Sequence, residues 1–474
     1  MSIKQLRQLN LPQLFLFVVC LYGIVEIPCS KAAEKHHKDR FSLDNPLLSL
    51  YNRFQHHFTA LNCKIQEVPR LRTHRKLQIP SGMQDTLPGE CARKRGLEQE
   101  LRTLFTLHGY QEIETPLLEY YDALDDQTYG YRPEHVWKTF DSKARLLAVR
   151  PDSTIPAARL AAGKLMEAPL PLRLCYLQSA TKFFSDTLSM LCEDPQCGVE
   201  LMGESSALAD AEIVALAVDA LKKSGLQDFQ IELGQAAFFA GFMQEAGLTD
   251  EQIAAVRELT EQKNALGIQL YLEKLSVSED VSRRLMRLPM LYGDLSVLDE
   301  AEKLTAHPLC RAAIANLREI ISILDAYGCA DCITIDLGMV HQANYYSGMI
   351  FRGMTADLGQ PLLSGGRYDG LPARFGRELP ATGFALSLKL LMIALERQGA
   401  AFTAPVPDVV AGFDPHCLAD ALAWANLARE TGESAALLYG ASWEELKVRV
   451  DAGQARAAVY LDRHGIRRYE KGGS

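Results

Sequence analysis

The chain has 474 residues, of which 48% are hydrophobic, and this is enough apolar material for two or more packed domains. Its net charge is −9, but residues 1–76 carry 12 Lys and Arg against five Asp and Glu, which leaves −16 on the remaining 398 residues. An acidic body is a poor electrostatic partner for a polyanion, so the composition argues against a protein that binds nucleic acids such as tRNA.

The 11 cysteines have irregular spacing, and several lie inside apolar runs. This usage is typical of a reducing compartment, so we expect a cytoplasmic protein without a disulfide framework. The pairs Cys192/Cys197 and Cys329/Cys332 could in principle bind zinc. Their spacing favours the other interpretation, that they are isolated buried thiols. We therefore predict no metal.

Residues 1–72 differ from the rest of the chain. Lys4 and Arg7 precede the apolar run Leu11–Ile27, which has the layout of a signal peptide and is short for a membrane span. The residues that follow are rich in His, Lys and Arg and show no period. Two interpretations stay open: a genuine N-terminal extension, or a translation start assigned too early, which we favour. Neither predicts a contribution to the fold, and we expect no membrane association.

Regular structure is predicted from about Leu77. Pro88 opens a helix of good helix formers over Gly89–Leu107, Gly109 ends it, and Tyr110–Thr115 is typical of a strand.

Residues 146–154 are predicted to be a strand that runs into a helix beginning near Pro156. Asp152 and Thr154 lie at the end of this stretch, and a carboxylate and a hydroxyl at the end of a strand are well placed to meet an ammonium group. The alternative is that Asp152 or Ser153 caps the helix.

Residues 205–330 are predicted to be mainly helical, because their apolar residues recur at helical spacing. The strand Phe229–Leu233 interrupts the run, and the segment from about 235 to 328 is predicted to be a helical insertion. The predicted helices are Ala207–Ser224, Gln235–Glu245, Asp250–Leu266, Gln269–Leu275, Ser278–Leu288 and Leu309–Tyr327.

The stretch Ile335–Leu391 has the strongest functional pattern. Hydrophobic alternation around Tyr345 and Tyr346 predicts strands, and Gly365–Gly366 lets two backbone segments approach closely. We expect aromatic residues, Arg367 and a glycine-lined turn to meet on one sheet surface and hold a small polar ligand. A core hairpin with a glycine turn is the structural alternative.

After residue 400 the composition changes. Residues 404–407 (APVP) are typical of a linker, and residues 406–474 are predicted to form a small α/β module, since strands alternate with helices there. After the first strand we predict helices over Leu418–Thr431 and Trp443–Ala452, and strands over Ala435–Tyr439 and Ala457–Leu461.

Three strings resemble the histidine-specific signatures and the third class motif of histidyl-tRNA synthetases: YYSG at 345–348, GGRYDGL at 365–371 and GFAL at 383–386. The resemblance implies an α+β fold for residues 73–400, with a class II synthetase-like antiparallel sheet flanked by helices, and a dimer. It also implies a histidine site. Asp152, Thr154 and Gln196 would surround the ammonium group, and Glu200, Tyr346 and Tyr368 the imidazole.

Several positions depart from an active synthetase, in which they would supply arginines and an aromatic residue that bind ATP or the reacting groups. At these positions the chain has Lys182, Met190, Cys192, Asp194, His341 and Leu390. A transferring phosphate needs positioned positive charge. In this pattern the chain resembles the ATP phosphoribosyltransferase regulatory subunits, a non-catalytic family related to the synthetases.

That resemblance implies no catalytic residues and no cofactor. It implies a short-form ATP phosphoribosyltransferase catalytic subunit as partner, free histidine as feedback ligand, and no tRNA. Lys182 and His341 are candidate contacts for the ligand carboxylate. The alternatives are an active histidyl-tRNA synthetase or another synthetase-like enzyme that activates an amino acid.

Overall fold

The fold is that of a computed structural model, which describes residues 77, 79–80, 82–124, 135–181, 192–275, 277–340 and 346–471. Residues 79–474 form one compact unit. The predictions made for residues 1–72, and those for Lys182, Met190 and His341, lie outside the described residues.

The centre of the fold is a nine-stranded sheet with the order β1-β5-β6-β12-β11-β10-β7-β9-β8. Its strands are β1 (Gln111–Glu112), β5 (Leu172–Thr181), β6 (Glu193–Met202), β7 (Gln230–Gln235), β8 (Tyr292–Gly293), β9 (Ile333–Asp336), β10 (Met349–Met354), β11 (Leu363–Arg367) and β12 (Ala381–Ser387). A second sheet of three strands has the order β2-β4-β3, with β2 at Leu118–Tyr120, β3 at Lys138–Phe140 and β4 at Leu146–Val149.

The central pairings, from β5 through β6, β12, β11 and β10 to β7, are all antiparallel. Two outer pairs are parallel, β1 with β5 and β7 with β9. The predicted α+β class is confirmed, but the sheet is mixed rather than wholly antiparallel. Long connections join the strands of both parallel pairs, the three-stranded sheet and α2 between β1 and β5 and the helical insertion between β7 and β9, and parallel pairing needs such a crossover.

Helices pack on both faces of this sheet. The helices before the insertion are α1 (Pro88–Leu107), α2 (Thr154–Ala162) and α3 (Ala207–Lys223), and those after it are α10 (Gly370–Ala373) and α11 (Leu388–Arg397). The side chains of α1 that point to the sheet, Leu101 and Phe105 among them, are fully buried. Phe384 of β12 lies between Phe105 and Phe351, with edge-to-face ring centroids 6.2 and 6.3 Å away. This aromatic contact fixes the helix layer on the sheet face opposite the site described below.

The insertion contains the helices α4 (Ala236–Ala246), α5 (Asp250–Glu261), α6 (Ala265–Lys274), α7 (Glu279–Leu285), α8 (Ser296–Leu304) and α9 (Pro308–Ala326). The sequence prediction ran α5 on to Leu266, which is wrong. Lys263 has a φ of 53°, and the Asn264 side chain accepts from Gly267 N at 2.8 Å, so that α6 starts anew. Helix α8 was missed by the sequence prediction, although Val297, Leu298 and Ala301 recur at helical spacing and form its buried face.

Residues 409–470 form a separate four-stranded sheet with the order β14-β13-β15-β16. Its elements are β13 (Val409–Phe413), α12 (Leu418–Glu430), β14 (Ala435–Leu437), α13 (Trp443–Asp451), β15 (Ala457–Asp462) and β16 (Gly465–Glu470). The predicted alternation of strands and helices is confirmed, and β16 is an addition that forms a hairpin with β15.

Candidate functional site

The candidate site lies on the sheet face opposite α1 and α3, where the strand register gathers small residues around one carboxyl group. Glu200 of β6 is paired with Gly383 of β12, and Gly383 with Gly366 of β11. Paired residues share a face, so the Glu200 side chain borders a floor of two glycines. A Cβ on Gly383 would overlap Glu200 Oε2, which means that only glycine leaves room for the carboxyl group.

Glu200 is 1% exposed and accepts hydrogen bonds from tyrosines. The Tyr368 hydroxyl donates to Oε2, and the Tyr176 hydroxyl donates to Oε1 at 3.4 Å. Burial raises the pKa of Glu200 to about 8, and the nearby Asp152 charge acts in the same direction. Hydrogen bonds from Tyr368, Thr154 and Tyr176 only partly oppose this effect. Glu200 is therefore mainly protonated at pH 7, and a bound base or cation would be needed to remove its proton.

Two tyrosine hydroxyls next to Glu200 act as permanent donors. Burial is the main cause that raises the pKa of Tyr176 and of Tyr368 well above the usual value, and the neighbouring Glu200 adds to it. Tyr346 belongs to the same wall, since a Cβ on Gly366 would stand 2.9 Å from the Tyr346 ring. An aromatic wall beside a protonated carboxyl group suits a flat ring with hydrogen-bonding nitrogens.

The loop between β4 and α2 brings two more predicted residues to this place. The Thr154 side chain is close enough to Glu200 and Tyr176 to lower the pKa of both groups. Asp152 Oδ1 accepts from Ile155 N at 3.0 Å, so the capping role considered for it is confirmed. Its charge nevertheless acts on Glu200, and Asp152 therefore both caps α2 and borders the site.

Gln196 lies on the same face of β6 as Glu200, because four residues separate them and the strand has a period of two. It is 7% exposed, and its Nε2 donates to Asp194 Oδ2 at 3.0 Å. Four strand residues span about 13 Å between Cα atoms, so Gln196 marks the far end of the site from Glu200.

One expectation was wrong. Arg367 was predicted on the ligand surface, but it precedes Tyr368 directly and therefore points to the other face. There its Nε bonds Asp210 of α3 at 3.0 Å, and both side chains are buried. Tyr176 was missed by the sequence prediction. Its signal was the pairing of β5 with β6, which places Tyr176 opposite Gly198 and thus on the face of Glu200.

Three of the residues that the sequence resemblance predicts at ATP-contact positions are described, and all three are bonded within the fold. Asp194 accepts from Gln196 and from Ser387, Leu390 N donates to Ser387 Oγ at 3.2 Å, and Cys192 N donates to Gly82 O at 2.8 Å. Lys182, Met190 and His341 lie outside the described residues. Across the described part of the chain no group of three His, Cys, Asp or Glu side chains is arranged to hold a metal ion, and no helix has the length and apolar character needed to cross a bilayer.

The fold is that of a class II histidyl-tRNA synthetase-like protein, and comparisons with known proteins agree. The family model described as histidyl-tRNA synthetase matches residues 82–391. A histidyl-tRNA synthetase structure from Nostoc sp. PCC 7120 superposes with a TM-score of 0.69 over 83% of this chain and 97% of its own, at 18% identity, which concerns the fold alone.

More similar relatives carry a different name. ATP phosphoribosyltransferase regulatory subunits from Acetivibrio thermocellus and Desulforamulus reducens are 43% and 34% identical to this chain. The alignments cover 71% of this chain and 80% of the first relative, and 82% of this chain and 96% of the second. A Bacillus halodurans structure titled as an ATP phosphoribosyltransferase regulatory subunit/histidyl-tRNA synthetase has 30% identity and a TM-score of 0.73, covering 81% of this chain and 98% of its own. The chain thus belongs to the family of ATP phosphoribosyltransferase regulatory subunits.

Proposed function

We propose that this chain is a non-catalytic subunit that binds free histidine around Glu200 and thereby confers feedback inhibition on ATP phosphoribosyltransferase, in the first step of histidine biosynthesis. One observation carries the proposal. Asp152, Thr154, Tyr346 and Tyr368 converge on the buried Glu200, whose pKa is raised to about 8. The family name supports the regulatory role, and the side chains around Glu200 support the choice of ligand.

The chemistry of these groups fits an imidazole. A protonated Glu200 donates to a neutral ring nitrogen, and after proton transfer the carboxylate faces an imidazolium. Both forms contain the same proton, so the pair is satisfied whichever partner holds it. Asp152 and Thr154 beside Glu200, and Gln196 farther along β6, offer oxygen acceptors to an ammonium group. Lys182 and His341 remain the proposed contacts for the ligand carboxylate.

The partner in this proposal is a short-form ATP phosphoribosyltransferase catalytic subunit, together with a second copy of this chain through the synthetase-like domain. The family name implies a separate catalytic chain. We also propose a cytoplasmic location, which the eight free cysteines among the described residues support. No tRNA is part of the proposal, because the body of the chain is acidic.

The absence of catalysis is part of the proposal and has its own test. Asp194 and Leu390 supply no positive charge where a synthetase would stabilise the phosphates of ATP. Histidine-dependent exchange between ATP and pyrophosphate should therefore be undetectable with the purified chain. Measurable exchange would instead support an active amino-acid-activating enzyme.

The ligand is tested by calorimetry with free histidine on the full chain and on Glu200→Ala and Tyr346→Ala. Loss of the Glu200 carboxyl group should weaken binding by roughly 1–3 kcal/mol, the usual effect of leaving a buried polar partner unpaired. Glu430→Ala is a matched control, since it removes an exposed carboxylate of α12.

The regulatory role is tested with the same variants in complex with the catalytic subunit. Glu200→Ala should raise the histidine concentration needed for inhibition by a similar factor, because coupling is reciprocal, and should change the uninhibited rate much less. Unchanged affinity and unchanged inhibition in both site variants would move the regulatory site elsewhere, to the contact with the catalytic subunit. Failure of the two chains to copurify would refute the proposed partner.

A further inference from the structure

Two glutamines lie opposite one another on the site face and are bonded differently. Gln178 of β5 is paired with Gln196 of β6. Gln178 uses both ends of its amide on Thr115, donating from Nε2 at 3.0 Å and accepting from the backbone N at 3.2 Å. Gln196 uses only its donor end, and its buried Oε1 accepts from none of the residues that the structure describes. Buried acceptors normally accept a hydrogen bond, so Gln196 Oε1 is a candidate acceptor for a donor group of a ligand.

Asp194 determines which end of the Gln196 amide is left over. Its Oδ2 accepts from Gln196 Nε2 at 3.0 Å, and its Oδ1 accepts from the Ser387 hydroxyl. Ser387 Oγ in turn accepts from Leu390 N at 3.2 Å, at the start of α11. The Ser387 hydroxyl proton is therefore directed at Asp194, and both carboxylate oxygens of Asp194 are occupied by donors.

The reversed amide is disfavoured here for an electrostatic reason. With its ends exchanged, Gln196 would turn Oε1 toward the Asp194 carboxylate, and two acceptors would face one another. Its Nε2 would then be the free end, which binds a carboxylate or a phosphate rather than an ammonium group. The orientation of one amide thus decides the charge of the ligand group that this end of the site accepts.

We propose that Asp194 is a positioning residue that fixes the Gln196 amide so that Oε1 accepts from the ammonium group of an amine ligand. The inference rests on the proposed function and deepens it, since it names what makes the site selective for amines. Asp194 acts through Gln196 and has no contact with the ligand. A ligand that keeps the imidazole but lacks the amine gains nothing from this arrangement.

The test compares three probes by calorimetry on the full chain: histidine, histamine, which lacks the carboxylate, and imidazolepropionate, which lacks the amine. Asp194→Asn keeps the shape of the side chain but supplies its own amide donor, so that Gln196 can adopt either orientation. We expect Asp194→Asn to weaken the binding of histidine and histamine by about 10- to 100-fold, as for a lost hydrogen bond to a charged group, and to change the binding of imidazolepropionate by less than about twofold. Glu200→Ala should weaken all three probes.

Glu193→Gln is the matched control, because Glu193 is the neighbour of Asp194 and its side chain is exposed. The substitution therefore removes the same charge without touching the bond to Gln196. It should leave the ratio of histidine to imidazolepropionate affinity unchanged. Should Asp194→Asn fail to fold, Ser387→Ala, which removes the donor to the other carboxylate oxygen, must shift that ratio in the same direction.

Equal losses for all three probes, or unchanged histidine binding, would overturn the positioning role while leaving the proposed function standing. Wild-type protein that binds neither histidine nor histamine would refute the proposed function itself, and the inference with it.

Discussion

The raised pKa of Glu200 predicts how histidine affinity depends on pH. Imidazole has an ordinary pKa of about 6.5. Glu200 titrates at about 8. Between these values the free protein holds one proton on Glu200 and the free ligand ring is neutral. The complex also holds one proton between the two groups, so binding in this window neither takes up nor releases a proton. Affinity should therefore be flat and maximal from about pH 6.5 to pH 8.

Outside the window each pH unit has a defined effect. Below pH 6.5 the free ring gains a proton that must leave when the ring meets the protonated Glu200, and above pH 8 the pair must take a proton up. Each case lowers affinity by about tenfold per pH unit, or about 1.4 kcal/mol. Tyr176 and Tyr368 do not contribute, because burial raises the pKa of each well above its usual value and both stay protonated.

The decisive variant is Glu200→Gln, whose amide has the same shape but cannot titrate. Calorimetry from pH 5.5 to pH 9 should show that the alkaline loss of affinity that starts near pH 8 disappears, while the acid loss remains. Any alkaline loss left in the variant reports the ligand's own ammonium group. Glu430→Gln, on the surface, should keep the wild-type profile. An alkaline limb of equal steepness in wild type and Glu200→Gln would refute the reasoning.

The structure makes three other predictions. Gly383→Ala should lower histidine affinity and thermal stability because its Cβ overlaps Glu200 Oε2, whereas Gly370→Ala, with no atom within 4 Å of the added Cβ, should change neither. Asp210→Ala should destabilise the fold by about 3 kcal/mol in urea unfolding, since it strands the buried Arg367, and the Asp369 contact at 3.2 Å keeps the loss at the lower end. Deleting residues 1–72 should leave a folded chain with unchanged histidine binding, and an insoluble product would contradict this.

The sequence predicted the fold well where local signals agree. The periodic helices α1, α3 and α9 lie within about two residues of their predicted bounds, because their apolar stripes are long and their ends are marked by proline, glycine or serine. The strand after α1 was predicted over six residues and has two, since pairing with β5 rather than propensity sets its length. Where a single residue ended an element, as Lys263 does after α5, no pattern indicated it.

The site residues were predicted from sequence motifs. The errors concern residues whose position depends on the strand register. Tyr176 carries no motif signal, yet its place opposite Gly198 brings it to Glu200. Arg367 stands inside the most specific string, but alternation along the strand turns it to the opposite face. A sequence shows which residues stand close along the chain. Which of them share a face depends on pairing partners that are distant in sequence.

The ion pair between Arg367 and Asp210 has a mechanical consequence for the ligand face. Arg367 is also bonded to Asp369 and to the carbonyl of Glu204, so it is held by α3 and by the segments that precede α3 and α10. Tyr368 is its immediate neighbour and contacts Glu200 on the other side of the sheet. A ligand that displaced Tyr368 would have to pull a buried guanidinium away from its carboxylate. This wall of the site is therefore stiff. If the proposed function holds, we expect the movement that reports ligand binding to start instead where Asp152 and Thr154 join the end of a strand to the start of a helix.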